Sequence, residues 1–133
     1  MENNKKLEEV RRMFEGDRFA TENGAVIEEI GDHSATCSLI ITDSHRNAMG
    51  AVMGGTYFML ADFAFAVAAN WEKIGCVSLH ADISFLCAAK GKKLIAKAVC
   101  VRDGKTTAFY RVDVVDESGN LTATVMVTGY HIG

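Results

Sequence analysis

Proline is absent, and neither an internal repeat nor a low-complexity tract interrupts the chain, so nothing marks a linker between domains. Basic residues are not in excess: 14 Lys and Arg stand against 17 Asp and Glu, a net charge of -3. No surplus of cations exists to neutralise phosphates, which argues against a nucleic-acid partner. The first residues, MENNKKLEEVRRMFEG, place no apolar run behind their charges, unlike a secretory or transit segment, and the mature chain is expected to start near Met1. The four cysteines, Cys37, Cys76, Cys87 and Cys100, form no C-x-x-C pair and sit in apolar or alternating segments. That is the pattern of reduced packing cysteines in a cytoplasmic protein. With no His or Cys cluster at ligand spacing, no metal is expected.

What is present suffices for one folded domain. A chain of 133 residues, 49% apolar and 23% charged, can bury a real core but has no room for a second one. A single domain over 1–133 is therefore expected. Residues 4–15 place Leu7, Val10, Met13 and Phe14 at helical spacing among charges, predicting a short amphipathic N-terminal helix within 1–16. Residues 25–42 alternate, with Ala35, Cys37, Leu39 and Ile41 on one face and Gly31-Asp32 at a turn, predicting a hairpin. After Gly75 the period of two returns. Four strands are predicted over 76–85, 93–102, 106–115 and 121–131, separated by Lys90-Gly91, Asp103-Gly104 and Ser118-Gly119-Asn120. Short connections imply that consecutive strands pair antiparallel.

Between hairpin and strands lies GGTYFMLADFAFAVAAN, predicted with its flank as a long helix over 54–74. Its apolar residues run all the way round, as in a helix enclosed by protein or membrane. The membrane is disfavoured because a span needs roughly 20 apolar residues, and a central aspartate costs about 2.5–3.5 kcal/mol. One antiparallel sheet curled around one central helix is the expected α+β architecture.

Asp62 interrupts that helix. Its neighbours at three and four positions, Phe58, Met59, Phe65 and Ala66, offer it no polar partner. A carboxylate so placed either caps a neighbouring segment or serves as base or nucleophile beside a cleft. Gly54 and Gly55 start the helix, where the first N–H groups lack internal acceptors and could hold an oxyanion; a plain flexible turn is the alternative. Asn47, slightly upstream, could add an amide donor. In the strand at 76–85, strict alternation puts Val77, Leu79, Ala81, Ile83 and Phe85 over the helix, and Cys76, Ser78, His80, Asp82 and Ser84 on the other face. The second face is either solvated or the wall of a cleft shared with another subunit. A Cys76–His80 nucleophilic pair is disfavoured because side chains two strand positions apart lie about 7 Å from each other. Phe58, Phe63, Phe65 and Tyr57 either line an aryl pocket or belong to the core.

The run NAMGAVMGGTYFMLAD, with Asn47, Gly50, Met53, Gly54, Gly55 and Asp62, resembles the active-site signature of hotdog-fold acyl-CoA thioesterases of the phenylacetic-acid-degradation and human thioesterase-superfamily-member type. VSLHADISFL and the segment from Val101 to the C-terminus also look like that family's strands. The resemblance implies hydrolysis of an acyl-CoA thioester, with Gly54 N–H and the Asn47 amide polarising the carbonyl, Asp62 of a facing subunit activating water or attacking, and Ser78 assisting. Met53, Gly55, Phe58 and His80 are expected on the substrate side. The family implies no cofactor, CoA being part of the substrate, and a homo-oligomer with sites at the dimer interface, built as a dimer of dimers. Met53 stands where the family usually has histidine, and Cys87-Ala88-Ala89 where it often has proline; retained activity with altered substrate fit is expected. A non-catalytic acyl-CoA-binding protein and a hotdog dehydratase are the competing readings, the latter lacking its usual helix histidine.

Overall fold

The protein, represented by a computed structural model, is described over residues 2–132. In chain order it comprises α1 (Glu2–Phe14), α2 (Arg18–Glu22), β1 (Val26–Gly31), β2 (Ser34–Ile40), a 3-10 turn (Asp43–His45), α3 (Gly54–Asn70), β3 (Cys76–Phe85), β4 (Lys93–Asp103), β5 (Thr107–Asp116) and β6 (Leu121–His131). The strands form one antiparallel sheet, ordered β1-β2-β4-β5-β6-β3, curled around α3. Alternation explains the inner face: Ala35, Cys37 and Leu39 of β2, Leu94, Ala96 and Ala98 of β4, and Ala108, Tyr110, Val112 and Val114 of β5 are all buried. Many of these are alanines, whose short side chains let the sheet close tightly on the helix. Against the other flank of α3, the rings of Phe14 and Phe63 meet edge-on with centroids 6.2 Å apart.

The connectivity departs from a simple meander. Pairing of consecutive strands holds for β4, β5 and β6, but β3 does not pair with β4; it crosses to the far edge and joins β6, while β4 pairs with β2. Asp116 secures this crossing. Its carboxylate accepts Lys90 N–H at 2.9 Å, Ser118 and Asn120 N–H at 3.0 Å, and the Asn120 amide at 3.1 Å. These donors, Lys90 N–H foremost, hold its pKa down to about 2.

The central helix also ends sooner than its composition predicts, at Asn70. The Asn70 amide donates to the carbonyls of Ala66 at 3.0 Å and Cys76 at 2.9 Å, and its oxygen accepts Gly75 and Cys76 N–H at 2.9 Å. One side chain thus stops the helix and aims the chain into β3. Nor is α3 enclosed all round: Gly55 and Asp62 are exposed and Phe58, Ala66 and Ala69 partly so, a stripe of helical spacing left open along its length.

In β3 strict alternation fails. Ser78 pairs with Gly129 and His80 with Thr128, leaving Leu79 as a β-bulge. One extra residue moves everything beyond it to the opposite face. The helix-facing set is therefore Cys76, Ser78, Ala81, Ile83 and Phe85, opposite His131, Gly129, Val127, Val125 and Ala123. Val77, His80, Asp82 and Ser84 point outward, so Cys76 and His80 lie on different faces.

Candidate active site

The site is assembled by the loop that enters α3. His45 is buried, and its ring is wired on both sides: Nδ1 accepts Thr42 N–H at 2.9 Å and Nε2 lies 2.6 Å from Asn23 O, which fixes the proton on Nε2. Its carbonyl accepts Met53 N–H at 2.9 Å and the Thr56 hydroxyl at 3.1 Å. His45 therefore clamps both ends of the loop to the start of the helix. Within that loop Asn47 Oδ1 accepts Met49 N–H at 3.0 Å and Ala51 N–H at 3.1 Å. With the oxygen so occupied, the amide nitrogen is turned away and forms no hydrogen bond among the described residues.

At the helix start, Thr56 N–H bonds back to Met53 O at 2.9 Å, whereas Gly54 and Gly55 precede the first intrahelical acceptor and keep free N–H groups. The two glycines have different reasons to lack a side chain. A β-carbon at Gly54 would sit 3.1 Å from Phe85 Cζ, while one at Gly55 would meet nothing within 4 Å. At Gly54 a side chain would press on the Phe85 ring, whereas Gly55 leaves the open stripe bare.

Asp62 lies two turns further along that stripe, in a groove of about 390 Å³ with Gly55, Phe58, Met59 and Phe63, closed on the far side by Asp17, Arg18, Phe19 and Ala20. The carboxylate is exposed at the surface yet set among apolar walls that displace its water, and the like charge of Asp17 adds to this. Both effects, desolvation first, raise its pKa above the usual carboxylate range. Gly54 opens elsewhere, into a second pocket with Val52, Tyr57, Phe85 and Leu86. Within a single chain Gly55, Phe58 and Asp62 therefore line one groove, while Gly54 lines the other opening.

The other candidates are distributed around these two openings. Met53 is exposed beside the loop. Ser78, on the helix-facing side of the edge strand, precedes the bulge, while the exposed His80 faces outward, 3.9 Å from Asp82. Tyr57 and Phe65 are core residues; Phe58 and Phe63 reach the groove. The sequence reading missed α2, and with it Asp17 and Phe19, although Asp17 before RFATE is an ordinary helix-start signal. Among the described residues no group of His, Cys, Asp and Glu is placed to hold a metal ion, and no helix is long and apolar enough to cross a membrane.

A six-stranded antiparallel sheet curled on one long helix is the hotdog architecture, and its relatives make this hotdog chain a thioester hydrolase. The chain belongs to the thioesterase superfamily, whose profile matches residues 49–123. Within the superfamily it is of the phenylacetic-acid-degradation type. It is 30% identical to acyl-coenzyme A thioesterase PaaI of Escherichia coli, over 91% of this chain and 87% of that one. It is also 32% identical to a putative esterase of Archaeoglobus fulgidus, over 90% of this chain and 79% of the relative. The solved structure of the E. coli PaaI protein superimposes with a TM-score of 0.89 at 27% identity, covering 98% of this chain and 96% of that one.

Proposed function

We propose that this protein hydrolyses an acyl-CoA thioester to a free carboxylic acid and CoA, with Asp62 as general base. The observation that carries this is the placement of Asp62: the only carboxylate of α3 stands on its open stripe, in an apolar groove, with a raised pKa. A stronger base at the operating pH is what water activation needs. The thioester carbonyl is held by Gly54 N–H and the amide of Asn47, both free to donate. Asp62 takes a proton from water, whose oxygen attacks the carbonyl carbon. Negative charge then collects on the former carbonyl oxygen, where those donors stabilise it. Its collapse breaks the C–S bond, and the CoA sulfur leaves with a proton. Ser78, on the helix side of the neighbouring strand, assists in orienting water or carbonyl. Met53, Gly55 and Phe58 contact the substrate, and no cofactor takes part. Outward-facing His80 would reach a substrate only from the opposite side of the sheet.

The separation of Gly54 from Asp62 within one chain supports a site built by two subunits, each supplying Asp62 to the other's Gly54 and Asn47. The uncovered edge of β3, with exposed Val77 and Leu79, supports pairing with a second copy, and a pair of such dimers completes the assembly. The test is Asp62→Asn. Thioester hydrolysis should fall by at least about a hundredfold while CoA-thioester binding and thermal stability persist. A less stable variant equally active per folded molecule would show that Asp62 is structural. In the parent enzyme the base must be ionised, so kcat/KM should decline as pH falls through the raised pKa. The acidic limb then lies above the value of about 3.9 of an ordinary aspartate.

A further inference from the structure

The groove beside Asp62 has walls of two origins. One is α3, with Gly55, Phe58 and Phe63; the other is the segment from Asp17 to Ala20, which lies outside residues 49–123 matched by the superfamily profile. Its volume of about 390 Å³ is in the range of small-molecule pockets. Phe19, 76% exposed, lines it with a large ring that the chain's own core does not use. The charges of the groove are uneven. Asp17 makes no side-chain capping bond and so leaves its carboxylate free beside Asp62. Arg18 is already taken: its Nε donates to Glu22 Oε2 at 3.0 Å and its Nη2 to Oε1 at 3.2 Å. An apolar groove with two carboxylates and no unpaired cation in its lining admits uncharged groups and repels an anion.

We propose that this groove is the acyl pocket, with Phe19 as its outer wall and Asp17 as the residue that selects uncharged apolar acyl groups against those ending in a carboxylate. The inference rests on the reading of Asp62 as base, because a carbonyl held at Asp62 directs the acyl chain along the adjoining apolar walls. An acyl chain of several carbons would bury itself between Phe19, Phe58 and Phe63, whereas acetyl would leave the groove empty. A terminal carboxylate of similar reach would be carried into a poorly hydrated space already holding negative charge.

The test is kcat/KM for acetyl-, hexanoyl- and adipoyl-CoA, the last two matched in chain length, in the full-length enzyme and its variants well above the acidic limb. The parent should prefer hexanoyl to acetyl and to adipoyl, each by about tenfold or more. Phe19→Ala, at an exposed position that leaves the core intact, should lower the hexanoyl-to-acetyl ratio about tenfold. Asp17→Asn should raise the adipoyl-to-hexanoyl ratio by a similar factor. If both ratios stay at their parental values in folded variants, the groove is not the acyl pocket and the proposal is overturned. Asp62→Asn serves as the separate control. Undiminished hydrolysis of all three thioesters in that variant would remove the base assignment, whereas the two ratios judge the pocket on their own.

Discussion

Asn47 uses its oxygen to shape its own loop and leaves its nitrogen as the donor that the proposed oxyanion site requires. The two functions are separable because they reside on different atoms of one amide. Asn47→Asp keeps an acceptor for Met49 and Ala51 N–H but removes the donor and adds a charge at the proposed oxyanion site. Its kcat should drop about 10²–10³-fold, with a melting temperature close to the parent's. Asn47→Ala, which also loses the loop bonds, should be as inactive and less stable. Equal activity of the aspartate variant and the parent would remove Asn47 from the oxyanion site. His45 is the supporting residue at this scale, since its ring anchors the loop and its carbonyl receives the start of the helix.

Among the elements, β3 carries the least obvious information. Its bulge at Leu79 lets one strand place Cys76 and Ser78, then Ala81, Ile83 and Phe85, on the helix side, with Phe85 reaching the start of α3. The strand can lie this close to the helix because its partner β6 offers Gly129. A β-carbon there would sit 2.6 Å from Cys76 Sγ and 3.2 Å from Phe65 Cζ. Gly129→Ala should therefore destabilise the fold by about 1–3 kcal/mol through overpacking, read as a lower denaturant midpoint. Cys76→Ala in the same chain should recover part of that loss, because the two changes share one contact. Strict additivity of the two substitutions would locate the cost elsewhere.

For the molecule as a whole, the open stripe of α3 and the open edge of β3 lie on surfaces that a single chain leaves uncovered. Exposed backbone donors and acceptors along an edge strand invite pairing, and the proposed mechanism takes Asp62 and Gly54 from different chains. A stable dimer or larger assembly is the expected outcome of sedimentation at micromolar concentration, with activity lost on dissociation. A monomer that retains full specific activity would contradict the shared site. Mixing the inactive Asp62→Asn and Asn47→Asp chains should restore part of the activity, since a mixed dimer carries one site with both residues intact.

Much of the protein is determined locally. Alternation accounts for the apolar buried face of β2, of β5 and of the regular stretches of β4 and β6, because a side-chain period of two leaves little freedom once one face must be apolar. The glycine pair, Asn47 and Asp62 likewise stand out in the sequence as residue types suited to the thioester chemistry proposed above. Tertiary structure decided the rest. Strand order depended on β3 reaching the far edge, a crossing tied down by the long-range bond from Lys90 N–H to Asp116. The faces of β3 depended on a bulge opposite Gly129 that alternation cannot reveal. The setting of Asp62 depended on which side of an almost uniformly apolar helix the sheet leaves bare: where every face is apolar, hydrophobic pattern carries no direction, and only packing against α1, α2 and the sheet assigns one.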